Sequence, residues 1–75
     1  MKKTGVLVVD DSPFVRELLT SVLSTDKEIV VLGEAVNGAD ALSMCHRLKP
    51  DIITMDIRMP VMNGLEAIIE IMAQC

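Results

Sequence analysis

Three aspartates follow two short apolar segments of the sequence, and these are the residues whose types and spacing could do chemistry. The segment Val6–Val9 leads directly into Asp10 and Asp11. The segment Ile52–Met55 leads into Asp56. Short segments rich in β-branched residues are typical of strands that are buried on both faces of a parallel sheet. Because residues just past the carboxyl ends of such strands face the ligand crevice, we expect the three carboxylates to share one crevice.

Carboxylates in a shared crevice repel one another unless a cation joins them or a proton neutralises one of them. A small divalent metal ion would supply the missing positive charge. The alternative for each aspartate taken alone is a solvated side chain at the start of a loop. As a set, the three acids indicate metal-assisted chemistry on a carboxylate.

The segment after Asp11 predicts a helix that starts at the end of the first strand. Ser12 is a suitable N-cap and Pro13 suits the first helical position. The apolar residues that follow have the i, i+4 spacing of a helical face. They form two adjacent stripes, Phe14/Leu18/Val22 and Val15/Leu19/Leu23, with Arg16, Glu17, Thr20 and Ser21 opposite. The spacing therefore predicts one broad apolar face and one polar face.

The rest of the chain continues the alternation of strand and helix. A second strand is predicted from Ile29 to Leu32 and ends near Gly33-Glu34-Ala35. A second helix follows from Asn37-Gly38 to Pro50, then a third strand at 52–57 and a third helix from Leu65. This order predicts an α/β fold with right-handed crossovers. Nothing after residue 75 could cover the outer edge of the third strand, and an open edge is a template for pairing with another chain.

Length and composition restrict the classes of function. A chain of 75 residues makes one small domain at most. The net charge of −4 argues against direct binding of nucleic acid, because phosphate contacts need clustered lysines and arginines. Cys45 and Cys75 fit neither a disulfide framework nor a zinc site. With neither a secretory signal nor a membrane-spanning stretch, the sequence predicts a cytoplasmic protein without membrane contact.

Taken together, the motifs resemble the receiver domain of bacterial two-component response regulators. The match runs in order from residue 6 to about residue 72. A finer resemblance, which includes Met59 to Ala67, is to the receiver of chemotaxis-type protein-glutamate methylesterases. The residues that carry the family resemblance are Val8-Val9-Asp10-Asp11-Ser12, Lys49-Pro50-Asp51, Asp56-Ile57-Arg58-Met59-Pro60 and Asn63-Gly64.

The resemblance implies a partial flavodoxin-like (CheY-like) receiver with three parallel strands in the order 2-1-3 and three helices. It implies that Asp56 is the phosphoacceptor and that a sensor histidine kinase is the partner that supplies the phosphoryl group. An output domain after the receiver, or a second copy of the chain, would be a further partner. The implied Mg²⁺ ligands are Asp10, Asp11, Asp56 and the backbone carbonyl of Arg58.

The sequence departs from the family pattern in its extent. A full receiver has five strands in about 120 residues, so residues 1–75 correspond to its N-terminal part. The family's switch Ser/Thr on strand four, its Lys on strand five and the fourth and fifth helices are absent. Asn63 also stands where the family usually has Asp.

Three alternatives to a phosphoacceptor are open at this point. The chain could be the regulatory N-terminal fragment of a methylesterase, whose hydrolase nucleophile would lie outside residues 1–75, so this chain by itself is not expected to be an enzyme. It could also be a half-receiver that is not phosphorylated and acts as an interaction element through its open third strand. A phosphatase of the haloacid-dehalogenase type is disfavoured because it needs Asp-x-Asp after the first strand, whereas the two acids here are adjacent.

Overall fold

Strands and helices alternate along the chain as the sequence predicts. The computed structural model describes residues 2–56, 69 and 71–73. Its elements are β1 (Thr4–Val9), α1 (Pro13–Leu23), β2 (Ile29–Ala35), α2 (Gly38–Leu48) and β3 (Ile52–Met55). Ile69 and residues 71–73 are helical and belong to the third helix, α3. No helix in these described ranges has the length and apolar character that crossing a bilayer requires.

The three strands form one parallel sheet in the order β2-β1-β3, which confirms the predicted order. The register places Val9 of β1 opposite Ala35 of β2 and Met55 of β3, so the carboxyl ends of all three strands lie level. β3 ends at Met55, and the prediction that this strand continues through Asp56 is wrong. Ile57, the predicted last residue of the strand, lies outside the described residues.

A cluster of buried hydrophobic side chains lies on the face of the sheet that α2 covers. It consists of Leu7, Val9, Ala35 and Ala41, and Met44, Leu48, Ile53, Met55 and Ile71 pack against it. Gly33 of β2 lets α2 approach closely, because a Cβ there would lie 2.7 Å from Met44 Cε and 3.1 Å from Leu48 Cδ1. The core is thus aliphatic and filled by methionine, as a composition with a single aromatic residue requires.

Within the described residues, one of the two apolar stripes of α1 is more covered than the other. The two stripes lie side by side on the helix, and we call the more accessible one the exposed α1 stripe. Val15, Leu19 and Leu23 are half-buried, whereas the exposed α1 stripe consists of Phe14, Leu18 and Val22, which are 72%, 52% and 58% exposed.

Both helices begin at the residues that the sequence indicates. The Ser12 hydroxyl accepts a hydrogen bond from the Val15 N–H at 3.3 Å, which caps α1. The Asn37 side-chain oxygen accepts one from the Asp40 N–H at 2.8 Å, which caps α2. α2 ends at Leu48, and its C-cap Lys49 has a left-handed φ of 50° that turns the chain toward β3. These caps restrain the loops that enter α1 and α2 and the loop that leaves α2.

Candidate metal centre

The three predicted acids come together at the carboxyl end of the sheet. One carboxylate oxygen from each of Asp10, Asp11 and Asp56 lies within 4.8 Å of the other two. Asp10 directly follows β1 and Asp56 directly follows β3, and these two strands are neighbours in the sheet. The Asp56 N–H donates to the Val9 carbonyl at 3.3 Å, so the backbone hydrogen bonding between β1 and β3 continues for one residue beyond β3. Parallel pairing therefore holds the two carboxyl groups side by side.

Asp10 is the most enclosed of the three acids, with a relative exposure of 9%. Its N–H donates to the Ala35 carbonyl at 3.1 Å, and its Oδ1 accepts a hydrogen bond from the Ser12 N–H at 2.9 Å. Asp11 is exposed and Asp56 is half-buried. The cluster therefore has a fixed inner carboxylate and an outer one that solvent reaches.

A residue that the stripe pattern assigns to the outer face of α1 lies beside this site. Arg16 donates from Nη1 to the carbonyl of Asp10 at 2.8 Å, and its Nε lies 3.3 Å from Glu34 Oε1 at the end of β2. Its side chain is only 16% exposed, so its assignment to the outer face is wrong. The reason is local: one helical turn after the acidic pair, a long side chain reaches back over the end of β1. The spacing between the acidic pair and Arg16 in the sequence contained that signal.

Asp51 has a structural role at the opposite end of the sheet. Its Oδ2 accepts a hydrogen bond from the Gly5 N–H at 2.7 Å, and its own N–H donates to the Gly5 carbonyl at 2.8 Å. We call this pair of bonds the Gly5–Asp51 latch. It joins the start of β3 to the start of β1, and so supports the register in which Asp56 meets Asp10.

The acids fit a hard divalent cation. Mg²⁺ prefers octahedral oxygen coordination and keeps several water ligands, so a few carboxylates suffice to hold it. Three carboxylates this close together repel one another, which is a chemical reason for a cation at this place. Arg58, whose carbonyl is the fourth predicted ligand, lies outside the described residues.

A separate cleft of about 740 Å³ lies at the other end of the sheet. Its walls come from the end of α2, the start of β3 and α3. It is lined by Cys45, His46, Lys49, Pro50, Asp51, Ile53, Ile71 and Met72. None of the three clustered aspartates lines it, so the acidic site is a surface crevice distinct from this cleft.

A parallel sheet in the order 2-1-3, with clustered acids after β1 and β3, is the arrangement of a receiver. The chain belongs to the response regulator receiver domain family, whose model matches residues 6–74. This confirms the resemblance that the motifs predict. Receiver domains act in two-component signalling together with histidine kinases and phosphotransfer partners.

More particular relatives come from chemotaxis. The chain is 54% identical over 69 residues to a protein-glutamate methylesterase/protein-glutamine glutaminase of Colwellia psychrerythraea, a match that covers 92% of this chain and 18% of the relative. The response regulator domain of Thermotoga maritima CheB matches with a TM-score of 0.96 and 43% identity, over 99% of this chain and 55% of that chain. The finer resemblance to a methylesterase receiver is thereby confirmed.

A third relative was solved with a metal. The CheX-CheY-BeF3-Mg²⁺ complex from Borrelia burgdorferi matches with a TM-score of 0.86 and 32% identity, over 96% of this chain and 55% of that chain. The present chain thus spans about half of each of these two solved chains. It spans less than a fifth of the Colwellia relative.

Proposed function

We propose that this chain is a Mg²⁺-dependent phosphoacceptor in which Asp56 receives a phosphoryl group from a histidine kinase. The observation that carries the proposal is the convergence of Asp10, Asp11 and Asp56 within 4.8 Å at the carboxyl end of the sheet, in a chain of the receiver family. The presence of Mg²⁺ in the Borrelia burgdorferi complex supports a metal ion in this family.

The proposed Mg²⁺ ligands are the carboxylates of Asp10, Asp11 and Asp56 and the backbone carbonyl of Arg58, some of them acting through water. When bound, the ion supplies positive charge that offsets both the repulsion among the carboxylates and the negative charge of an incoming phosphoryl group. The hydrogen bond from Ser12 to Asp10 uses one carboxylate oxygen and leaves the other for the crevice.

In the proposed reaction, one carboxylate oxygen of Asp56 attacks the phosphorus of a phosphohistidine. A P–O bond to Asp56 forms while the P–N bond breaks, and the histidine ring, protonated on its other nitrogen by solvent, leaves as neutral imidazole. The backbone bond from Asp56 to Val9 holds the nucleophile at the end of the sheet. Because positioning and charge stabilisation account for most of phosphoryl-transfer catalysis, a carboxylate held by a backbone hydrogen bond at the end of a strand suits this role.

At the level of a longer protein, we propose that residues 1–75 are the N-terminal part of a receiver and that phosphorylation switches a linked output. The 54% identity to the Colwellia methylesterase/glutaminase favours an output of that class. In that case the chain is the regulatory segment and the hydrolase chemistry lies elsewhere. We place the protein in the cytoplasm, where receivers meet their kinases.

The direct test is intact-mass measurement after incubation with Mg²⁺ and acetyl phosphate. We expect one added phosphoryl group, lost in base, and no addition after Mg²⁺ is removed with a chelator. Asp56→Asn should stay unmodified. Asp26→Asn, at an exposed turn, is the matched control and should be modified like the unaltered chain. Modification that persists in Asp56→Asn would overturn the assignment, as would a folded wild-type chain that takes up no phosphoryl group.

A further inference from the structure

Arg16 connects the ends of β1 and β2 through its guanidinium. Nη1 donates to the carbonyl of Asp10 at 2.8 Å, and Nε lies 3.3 Å from Glu34 Oε1. The Arg16 side chain is 16% exposed and that of Glu34 is 40% exposed, so the ion pair lies at the border of the folded core. To contact the Asp10 carbonyl and Glu34 at once, a side chain needs two N–H groups in a fixed arrangement. The planar guanidinium of arginine has that geometry.

The carbonyl that Arg16 holds is the one in the peptide unit between Asp10 and Asp11. Because a peptide unit is planar, a hydrogen bond to its oxygen restrains the rotation of the whole unit that joins the two acids. The Asp10 N–H is held by Ala35 and its Oδ1 by Ser12. With Arg16 in place, both the N–H and the carbonyl of Asp10 are hydrogen-bonded, which restrains the backbone from which the Asp10 carboxylate projects and to which Asp11 is joined.

We propose that Arg16 is a positioning residue for the metal-binding pair Asp10 and Asp11, and that Glu34 acts through it by holding its guanidinium. This inference rests on the proposed metal-dependent function. Partners that orient metal ligands commonly change metal affinity by about 10–100-fold when they are removed. The Arg16 contact is to the backbone of one ligand, so we expect the lower end, a loss of about tenfold in Mg²⁺ affinity.

Charge and position predict opposite effects for this residue. A guanidinium near the site repels Mg²⁺ through space, so if charge alone mattered, Arg16→Gln would bind the ion more tightly. If Arg16 positions the acids, the same variant binds it more weakly. Arg16→Lys keeps the charge but has a single ammonium group in place of the planar guanidinium. This variant separates the two effects further, because charge alone predicts an unchanged Mg²⁺ affinity and positioning predicts a weaker one.

The experiment is a Mg²⁺ titration of the ¹⁵N-labelled chain followed by ¹H–¹⁵N NMR. Amide shifts at the end of β1 give the affinity, and the dispersion of the whole spectrum reports folding in the same samples. We expect Arg16→Lys and Arg16→Gln to lose about tenfold in affinity. The control is Glu17→Gln, a neighbouring exposed residue of α1 that should leave the affinity unchanged. Equal affinity in Arg16→Lys, or tighter binding by Arg16→Gln, would overturn the proposal.

Glu34 gives a second and independent readout. Its side chain is 40% exposed, so Glu34→Gln should stay folded even if the Arg16 variants do not. If Glu34 acts through Arg16, its substitution weakens Mg²⁺ binding, and the double variant with Arg16→Lys loses no more than Arg16→Lys alone. Losses that simply add, or no loss in Glu34→Gln, would contradict the proposed linkage.

The outcome also separates this inference from the proposed function. A chain that binds Mg²⁺ in an Arg16-dependent way but takes up no phosphoryl group would refute the phosphoacceptor and support the positioning role. A chain that is phosphorylated on Asp56 but binds Mg²⁺ equally well in all variants would support the phosphoacceptor and refute the positioning role. Absence of Mg²⁺ binding in the folded wild-type chain would overturn both.

Discussion

Removal of the Gly5–Asp51 latch should lower the stability of the fold more than its position at the surface suggests. The Asp51 residue is exposed, yet its Oδ2 lies 2.7 Å from the N–H of Gly5, which is buried. In Asp51→Ala this carboxylate is gone and the Gly5 N–H loses its side-chain acceptor. The N–H of residue 51 still reaches the Gly5 carbonyl, so the variant isolates the side-chain half of the latch.

The magnitude follows from the type of bond. A hydrogen bond to a charged group contributes about 1.5–3 kcal/mol to stability, and we take about 2 kcal/mol for this partly buried one. A domain of 75 residues has a free energy of unfolding of about 4–11 kcal/mol, so the loss is a large fraction of the total. It corresponds to a fall in the unfolding midpoint of about 8–16 °C.

Thermal unfolding followed by circular dichroism measures this effect at a fixed Mg²⁺ concentration. Asp51→Asn retains an uncharged oxygen acceptor and should lose about half as much, about 1 kcal/mol. Glu17→Gln removes one negative charge from an exposed helical position and should leave the midpoint unchanged. An Asp51→Ala midpoint within about 2 °C of the wild-type value would refute the reasoning, because it would show that the latch contributes little.

Two further predictions concern single side chains and use the same unfolding assay. The Thr54 Oγ1 is buried without a hydrogen-bond partner among the described residues, so Thr54→Val should raise the free energy of unfolding by about 1 kcal/mol. Thr25→Val is its control, since that hydroxyl donates to the Val22 carbonyl at 2.7 Å, and a gain there as well would argue against the explanation. Asn37→Ala removes the cap of α2 and should cost about 1 kcal/mol, whereas Asn37→Asp should keep most of the stability; equal losses in both would show that the cap is not responsible.

The features that the sequence could predict are those that depend on neighbouring residues or on the shared edge of a parallel sheet. β-branched segments indicated the three strands, and Ser12 and Asn37 indicated where the helices begin. The clustering of Asp10 with Asp56 followed from a general rule about carboxyl ends, so it needed no knowledge of side-chain packing.

The features that the sequence could not predict depend on distances between elements. The i, i+4 pattern of α1 does not say which stripe meets the sheet, because both stripes are equally apolar. The same pattern placed Arg16 outside, although its length lets the guanidinium reach the end of β1. The role of Asp51 was hidden for the same reason, since its partner Gly5 is far away in the sequence and adjacent only in the sheet.

The central position of β1 determines how the site responds to local opening of the sheet. β1 has a strand on each side, and Val6–Val9 are at most 2% exposed, so we expect their amide hydrogens to exchange only when the whole sheet opens. In the described part of the chain, β3 has a strand on one side alone, and Ile52 is 51% exposed. Fraying of β3 in this part of the chain would carry Asp56 away from Asp10 and Asp11, and it would also withdraw Ile53 and Met55 from the cluster around Leu7. Among the described residues, the candidate site thus joins a strand that is paired on both sides to a strand that is paired on one side.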